Sequence, residues 1–360
     1  MIRAALLLLV IPLVTYADDK PNTLTPKEIE EGWILLFDGE TTFGWKAEGD
    51  VKVEKGMLIL GGEKGATLTS TSEFPPSEVK LEFRSKQAID VNTLGIPGVA
   101  GKGDFNKNWN QIITTMREQA GSWKSDVEIK YGKSAAGRSG RETKPNNPVT
   151  IQSFPNSPAE IRSIKLRPLA QKPLFNGKDL TGWKVFDDAK KNASQWSVTK
   201  EGWLNVKNGP GDLQTEGKYA NFLLQFECLS NGKALNSGVF FRCIPGEYQN
   251  GYEAQVQNAY KDDDRTKPAD FGTGAIYRRV PARKVVSNDG EWFTMTVLAN
   301  GDHISTWVNG YQTVDWTDDR PADPNPRKGL RKEAGHLSIQ GHDPTTDLSF
   351  RNLRIAEIKK

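Results

Sequence analysis

Leu36-Phe37-Asp38-Gly39, with Gly44-Trp45-Lys46 close behind, recurs further along the chain as Leu174-Phe175-Asn176-Gly177 with Gly182-Trp183-Lys184. A short hairpin pattern follows each copy: Val51 to Leu60 turning at Lys55-Gly56, and Trp196 to Val206 turning at Glu201-Gly202. The endings repeat as well. Val149-Thr150-Ile151-Gln152 followed by Ile161 to Leu166 matches Leu337-Ser338-Ile339-Gln340 followed by Phe350 to Ile355. A supersecondary pattern that starts and ends twice predicts two copies of one domain rather than one large sandwich. The copies occupy residues 32–169 and 173–360. The second is longer because everything from Asn236 to Trp292 stands where the first has only Gly95 to Trp109.

Runs rich in Val, Ile, Phe, Trp and Thr alternate with Lys55-Gly56, Glu201-Gly202, Asn231-Gly232, Asn250-Gly251 and Asn309-Gly310. Such pairs supply the positive φ that tight hairpins demand, so each predicts a strand reversal and the fold class is all-β. Thr25-Pro26-Lys27-Glu28 carries the one good helix signal, a Thr cap with Pro at the first turn and Glu three residues on, within a short linker over 18–31. The Gly-, Ser-, Arg- and Lys-rich stretch from Ser134 to Asn147 reads as a surface loop.

Arg3, the apolar run from Ala4 to Val14, and small Thr15 and Ala17 before Asp18 form the pattern of a signal peptide over 1–17, so export to the periplasm or medium is expected. The run is too short to span a bilayer, and no second one follows. A formal charge of +3 over 360 residues, with no long basic run, gives no reason to expect nucleic acid or a lipid surface as partner. Cys228 and Cys243 could pair across strands or remain buried thiols.

Period-2 alternation sorts the side chains of the longer copy by face. Glu253, Gln255 and Gln257 lie opposite Tyr252, Ala254 and Val256; Ser338, Gln340 and, if the strand stays regular, His342 lie opposite Leu337 and Ile339. Arg242 alternates with Phe241. For any one of these residues the plain reading is the solvated face of an antiparallel strand, although such faces favour Thr, Lys and Ser. Amides, a carboxylate, Arg and His with nearby Tyr and Trp form instead the mixture that grips sugar hydroxyls and stacks on sugar rings.

These residues sit in motifs that resemble the 3-keto-disaccharide hydrolase domain family, a jelly-roll fold similar to concanavalin A-like lectins and glucanases. The resemblance covers Leu174 to Ile358. It rests on Leu174 to Trp183, Asn236 to Arg242, Gly251 to Gln255, Thr273 to Tyr277, Gly290-Glu291-Trp292, Trp307 to Gly310, Ile339 to His342 and Phe350 to Asn352. Phe293 departs from the family's usual Asn. The first copy resembles only the opening and closing motifs, with Phe154 where the second has His342, so it is expected to have lost the site.

The resemblance implies hydrolysis of 3-keto glycosides. A ketone at C3 acidifies the C2 proton, and the site then needs a base, an enolate stabiliser and an acid. The candidates are Glu253 or His342 as base, Arg242 as oxyanion partner, and Tyr277 or the other of that pair as acid. Asn236, Gln255, Gln257, Gln340 and Trp292 would bind substrate. Two other readings stand beside this one: a non-catalytic carbohydrate-binding module, and a docking module for a sugar-oxidising oxidoreductase.

No strand carries the alternating carboxylates of a laminarinase-type glucanase. Three histidines without an H-E-x-x-H pattern offer no zinc site, and no metal or organic cofactor is expected. Asp262-Asp263-Asp264 reads as a solvated loop cluster, with structural calcium as the alternative.

Overall fold

The computed structural model describes residues 21–85, 90–93, 96–99, 109–120, 122–131, 134–142 and 147–358, so the expected signal peptide lies outside the described residues. The chain is all-β and forms two concanavalin A-like jelly-roll sandwiches in tandem, the first truncated. In the first half, one sheet runs Val51–Glu54, Met57–Leu60, Ala159–Pro168, Ser77–Ser85, Asn110–Gln119, Ser122–Tyr131, Ser134–Glu142. The second half repeats that order with Gln195–Val198, Leu204–Lys207, Asp347–Glu357, Phe222–Ser230, Trp292–Asn300, His303–Val308, Tyr311–Thr317.

A five-stranded sheet lies opposite each. Its order is Trp45–Gly49, Ala66–Phe74, Asn147–Ser153, Asp90–Thr93, Ile96–Val99 in the first half. In the second it is Trp183–Val185, Gly211–Thr215, His336–Gly341, Ser237–Cys243, Tyr252–Val256. The repeated strand order gives the sequence repeat its three-dimensional meaning.

One face of each facing sheet goes inward. In the second half Leu213, Val239, Phe241, Ala254 and Ile339 from the five-stranded sheet meet Phe222, Phe226, Met295, Val297 and Phe350 from the larger one. Each such side chain contributes about 1.5–3 kcal/mol on burial. The recurring Gly-Trp pair closes the two sheets together: the Trp183 indole donates to the Leu174 carbonyl at 2.8 Å, and Trp45 does the same to Leu36. The Thr25 cap and Glu28 form a reciprocal capping box on the helix Pro26–Glu30. Glu28 then anchors the helix by an ion pair to Lys165 at 2.8 Å.

Two local expectations change, and one open alternative is decided. Ser134–Glu142 is an edge strand paired with Ser122–Tyr131 rather than a loop, because its backbone completes a ladder whatever its small and charged side chains prefer. Lys55-Gly56 and Asn309-Gly310 make two-residue hairpins with both φ positive, whereas Asn231-Gly232 and Asn250-Gly251 lie in longer connections, from Ser230 to Ser237 and from Cys243 to Tyr252. Cys228 and Cys243 are free buried thiols on different sheets, and burial raises both pKa values well above the ordinary thiol range. At the acidic loop, Lys267 pairs with Asp262 at 3.1 Å and Asp264 accepts from Thr266, while no cluster of three potential ligands occurs among the described residues. No helix among them is long and apolar enough to cross a membrane.

The halves meet along the edge of the second large sheet. Trp307 packs in the first half's core cluster, 6.1 Å between ring centres from Phe74, and its indole donates to the Leu35 carbonyl at 3.1 Å. Asp38 of the opening motif accepts from Arg283 at 3.0 Å, and Thr71 donates to Asp315 at 2.7 Å. Replacing Trp307 by Ala should therefore destabilise the protein by about 3–5 kcal/mol. Urea unfolding followed by fluorescence should show one earlier transition; an unchanged midpoint would mean that the seam adds no stability.

Candidate active site

Because Leu213, Ile339, Val239 and Ala254 point into the core, their strand neighbours must point out of the second five-stranded sheet. Register then aligns them. Asp212 lies opposite Gln340 and Gln214 opposite Ser338; Phe240 faces both Ser338 and Glu253, and Gly238 faces Gln255. Two polar rows result. One runs Asp212, Gln340, Gly238, Gln255; the next runs Gln214, Ser338, Phe240, Glu253. Beyond the edge strand the chain returns antiparallel, with Ala254 bridging Ile276 and the Tyr277 N–H donating to the Glu253 carbonyl at 2.9 Å. Tyr277 is thus the direct cross-strand neighbour of Glu253.

Glu253 is only 8% exposed, and its carboxyl makes no hydrogen bond or ion pair among the described residues. Burial pushes its pKa up to about 8; Arg327 and Arg278 pull it back and the charge of Asp270 adds to the rise. Gly238 creates its seat. A Cβ on that glycine would stand 2.6 Å from Glu253 Oε1 and 2.8 Å from its Cγ, so any side chain there would push the carboxyl aside.

Asp270 organises the neighbouring amides. Its Oδ2 accepts from Gln255 at 3.1 Å and from Asn236 at 3.0 Å, which fixes both amides and leaves Gln255 Oε1 buried without a partner. Gln340 donates to Gln249 Oε1 at 3.0 Å, and its own Oε1 is likewise unpartnered, as are Ser338 Oγ and Asp212 Oδ1. Buried polar atoms normally find partners. Four without one lie together on a single sheet face.

Asp212 is fully buried beneath Gln249, and its Oδ2 accepts from Gln214 at 2.9 Å and from the Gln249 N–H at 3.2 Å. Burial raises its pKa to about 6. It positions the Gln249 loop and, through it, Gln340.

The structure brings together Glu253, Tyr277, Asn236, Gln255 and Gln340, and separates four other expected residues from them. Arg242 is fully buried at a β-bulge with φ +52°; the bulge turns its guanidinium to the rim between the sheets, where it donates to the carbonyls of Ala220, Gly301 and Arg331 at 2.8–3.0 Å. With those donors engaged it is not an oxyanion partner. Trp292 opens a strand of the opposite sheet, edge-on to Trp203 with ring centres 4.9 Å apart.

Gln257 lies past its strand end, where it donates to the Ala234 carbonyl and accepts from the Ala259 N–H, so both ends of its amide hold the loop. The strand of Gln340 ends at Gly341, and His342 turns to Asp343 with Nδ1 2.8 Å from Oδ2. Its backbone is four residues past Ser338 in the row of Glu253, about 13 Å along the strand.

Asp270, Arg278, Arg327 and Gln249 were not among the sequence candidates, because they reach the sheet from loops that show no periodicity. Asp212 did leave a signal: in Gly211-Asp212-Leu213-Gln214 the polar residues alternate with the core leucine as they do around Gln255.

In the first half, register places Thr67 at the position of Asp212, Pro97 at that of Glu253 and Val99 at that of Gln255. Both carboxylates are missing there.

A carboxyl whose folded pKa is raised binds its proton more tightly folded than unfolded, so its contribution to stability falls as pH rises from about 4.5 towards 8 and then stays level. Glu253→Gln should therefore melt near wild type at pH 4.5 and above it at pH 8.5, by a margin on the order of a few kcal/mol. Parallel melting curves across that range would show that the carboxyl is not desolvated.

Residues 170–356, just over half of the chain, match the family described as the 3-keto-alpha-glucoside-1,2-lyase-like domain. None of the curated proteins matches. Among solved structures, two candidate glycosyl hydrolases from Parabacteroides distasonis are similar. One is 23% identical with a TM-score of 0.43, covering 53% of this chain and 94% of its own. The other is 26% identical with a TM-score of 0.42, covering 52% and 99%. A carbohydrate binding module from Bacillus subtilis is 17% identical with a TM-score of 0.33, covering 49% and 95%. On the extent of the family match, this chain belongs to the 3-keto-alpha-glucoside-1,2-lyase-like domain family.

Proposed function

We propose that the second sandwich cleaves 3-keto α-glucosides by elimination across C1 and C2, with Glu253 as the base. The observation that carries this reading is a carboxyl with its pKa lifted to about 8, seated on a sheet face of unpartnered amide oxygens. An ordinary carboxylate is a weak base towards carbon. Desolvation makes Glu253 a stronger one, matched to a C–H acidified by the adjacent ketone.

In this reading the Glu253 carboxylate takes the C2 proton, the C2 electrons form the C1=C2 bond, and the C1–O bond to the aglycone breaks. The departing oxygen takes a proton from Tyr277, the phenol across the strand from the base. Arg327 and Arg278, whose charges Glu253 feels, stabilise the enolate in place of Arg242. Water then adds across C1=C2, hydroxyl to C1 and proton to C2, giving the 3-keto sugar. Asn236, Gln255 and Gln340 hold the hydroxyls. The ketone itself must come from an oxidoreductase acting on the C3 hydroxyl, and export through residues 1–17 would place the enzyme where such glycosides arrive from outside.

Incubation with a 3-keto disaccharide should release the aglycone sugar and exchange the C2 proton with solvent deuterium, while the unoxidised disaccharide stays intact. Binding of the unoxidised sugar without any product from the oxidised one would make the domain a carbohydrate-binding module. Glu253→Gln should lower kcat by about 10²–10⁴-fold, and Gly238→Ala should lower it with the fold preserved.

Because the base must be ionised, kcat/KM should climb with pH and level off above about 8. A profile that falls through that pH would assign Glu253 the acid's role instead.

A further inference from the structure

The first sandwich reaches the segment that carries Tyr277 through one ion pair. Asp38 Oδ2 accepts from both terminal nitrogens of Arg283, at 3.0 and 3.1 Å. The guanidinium also lies 3.9 Å from the ring centre of Phe43 and 4.8 Å from that of Tyr311, and it donates to the Gln312 carbonyl at 2.9 Å. The Asp38 side chain is 7% exposed and that of Arg283 23%, so solvent screens the pair little.

Arg283 sits at the base of a loop. Its neighbour Ala282 donates to the Phe271 carbonyl at 2.9 Å, which closes residues 271–282, and the Arg283 N–H donates to the Thr313 carbonyl at 3.1 Å. Within that loop Tyr277 stands against Glu253, and Asp270 immediately precedes it. Gly274, at φ +84°, lets the loop lie close to the large sheet: a Cβ there would stand 2.5 Å from Thr313 Oγ1.

The repeat shows what the charge of Asp38 adds. Asp38 Oδ1 accepts from the N–H groups of Glu40 and Thr41 at 2.8 and 2.7 Å, just as Asn176 Oδ1 accepts from those of Lys178 and Asp179 at 2.8 and 3.0 Å. A neutral amide thus makes the same turn in the second copy, and the turn does not require a carboxylate. What the carboxylate supplies is a partner for a cation of the other half, and such charge-assisted pairs are about twice as strong as neutral ones.

We propose that Asp38 is a positioning residue for the cleavage reaction: through Arg283, the first sandwich sets the base of loop 271–282 and so holds the Tyr277 phenol beside Glu253. This rests on the reading of Tyr277 as the acid. The copy that lacks both carboxylates then serves as the wall against which the acid-bearing loop is braced.

Hydrogen exchange and kinetics of the full chain test this with Asp38→Asn, a change the turn tolerates in the second copy. Backbone amides within 272–282 should exchange about tenfold faster in that variant. Glu73→Ala, which removes a different contact between the halves, to Asn300 at 3.0 Å, should leave them at the wild-type rate. On a 3-keto disaccharide, whose sugar leaving group needs a proton, Asp38→Asn should lower kcat about tenfold; on p-nitrophenyl 3-keto-α-glucoside, whose phenolate leaves unaided, kcat should stay at wild type. Thermal melting of each variant confirms folding. Tyr277→Phe should show the same split between the two glycosides, and its absence there would overturn the acid's assignment. Unchanged exchange in Asp38→Asn, or an equal loss on both glycosides while Tyr277→Phe shows the split, would overturn the positioning role alone.

Discussion

Strand alternation under one-sided burial is the constraint on which the rest of this molecule depends. A sheet that gives Leu213, Val239, Ala254 and Ile339 to the core has to present Asp212, Gly238, Gln255 and Gln340 on the other side. Had that outer face met open water, its polar groups would be ordinary surface residues. Loops from 244–251, 270–278 and 320–331 instead roof it, and Glu253 and Asp212 are desolvated. The chemistry proposed for the site follows from that covering: the same carboxyl left in solvent would be a weaker base towards a C–H proton.

The two sandwiches show how one scaffold holds different contents. Both repeat the strand order, and both use an indole of the Gly-Trp pair to tie the opening segment to the sheet below it. Where the second has Glu253 in its edge strand, the first has Pro97, and Thr67 stands in for Asp212. The excursion from Tyr252–Val256 to Trp292 that supplies Asp270 and Tyr277 has no counterpart of comparable length in the first half. What the first half does contribute is a partner surface: Trp307 fills its core, and Asp38 of its opening motif holds Arg283 of the second half.

The sequence by itself determined the repeat, the all-β class, most of the hairpins and the face assignments of Glu253, Gln255 and Gln340, because hydrophobic periodicity and Gly-containing turns are local properties. Its motifs also carried the family. It misplaced Arg242 because alternation assumes a regular strand, and a bulge at that residue rotates the side chain to the rim. Trp292 was misplaced because a motif fixes residue types but not which of two sheets carries them. Asp270, Arg327 and Gln249 join the site from loops through contacts far apart in sequence, which no periodicity encodes. Only the tertiary structure decided that Glu253 is desolvated over Gly238, since a pKa is set by what packs around a group and not by its neighbours along the chain.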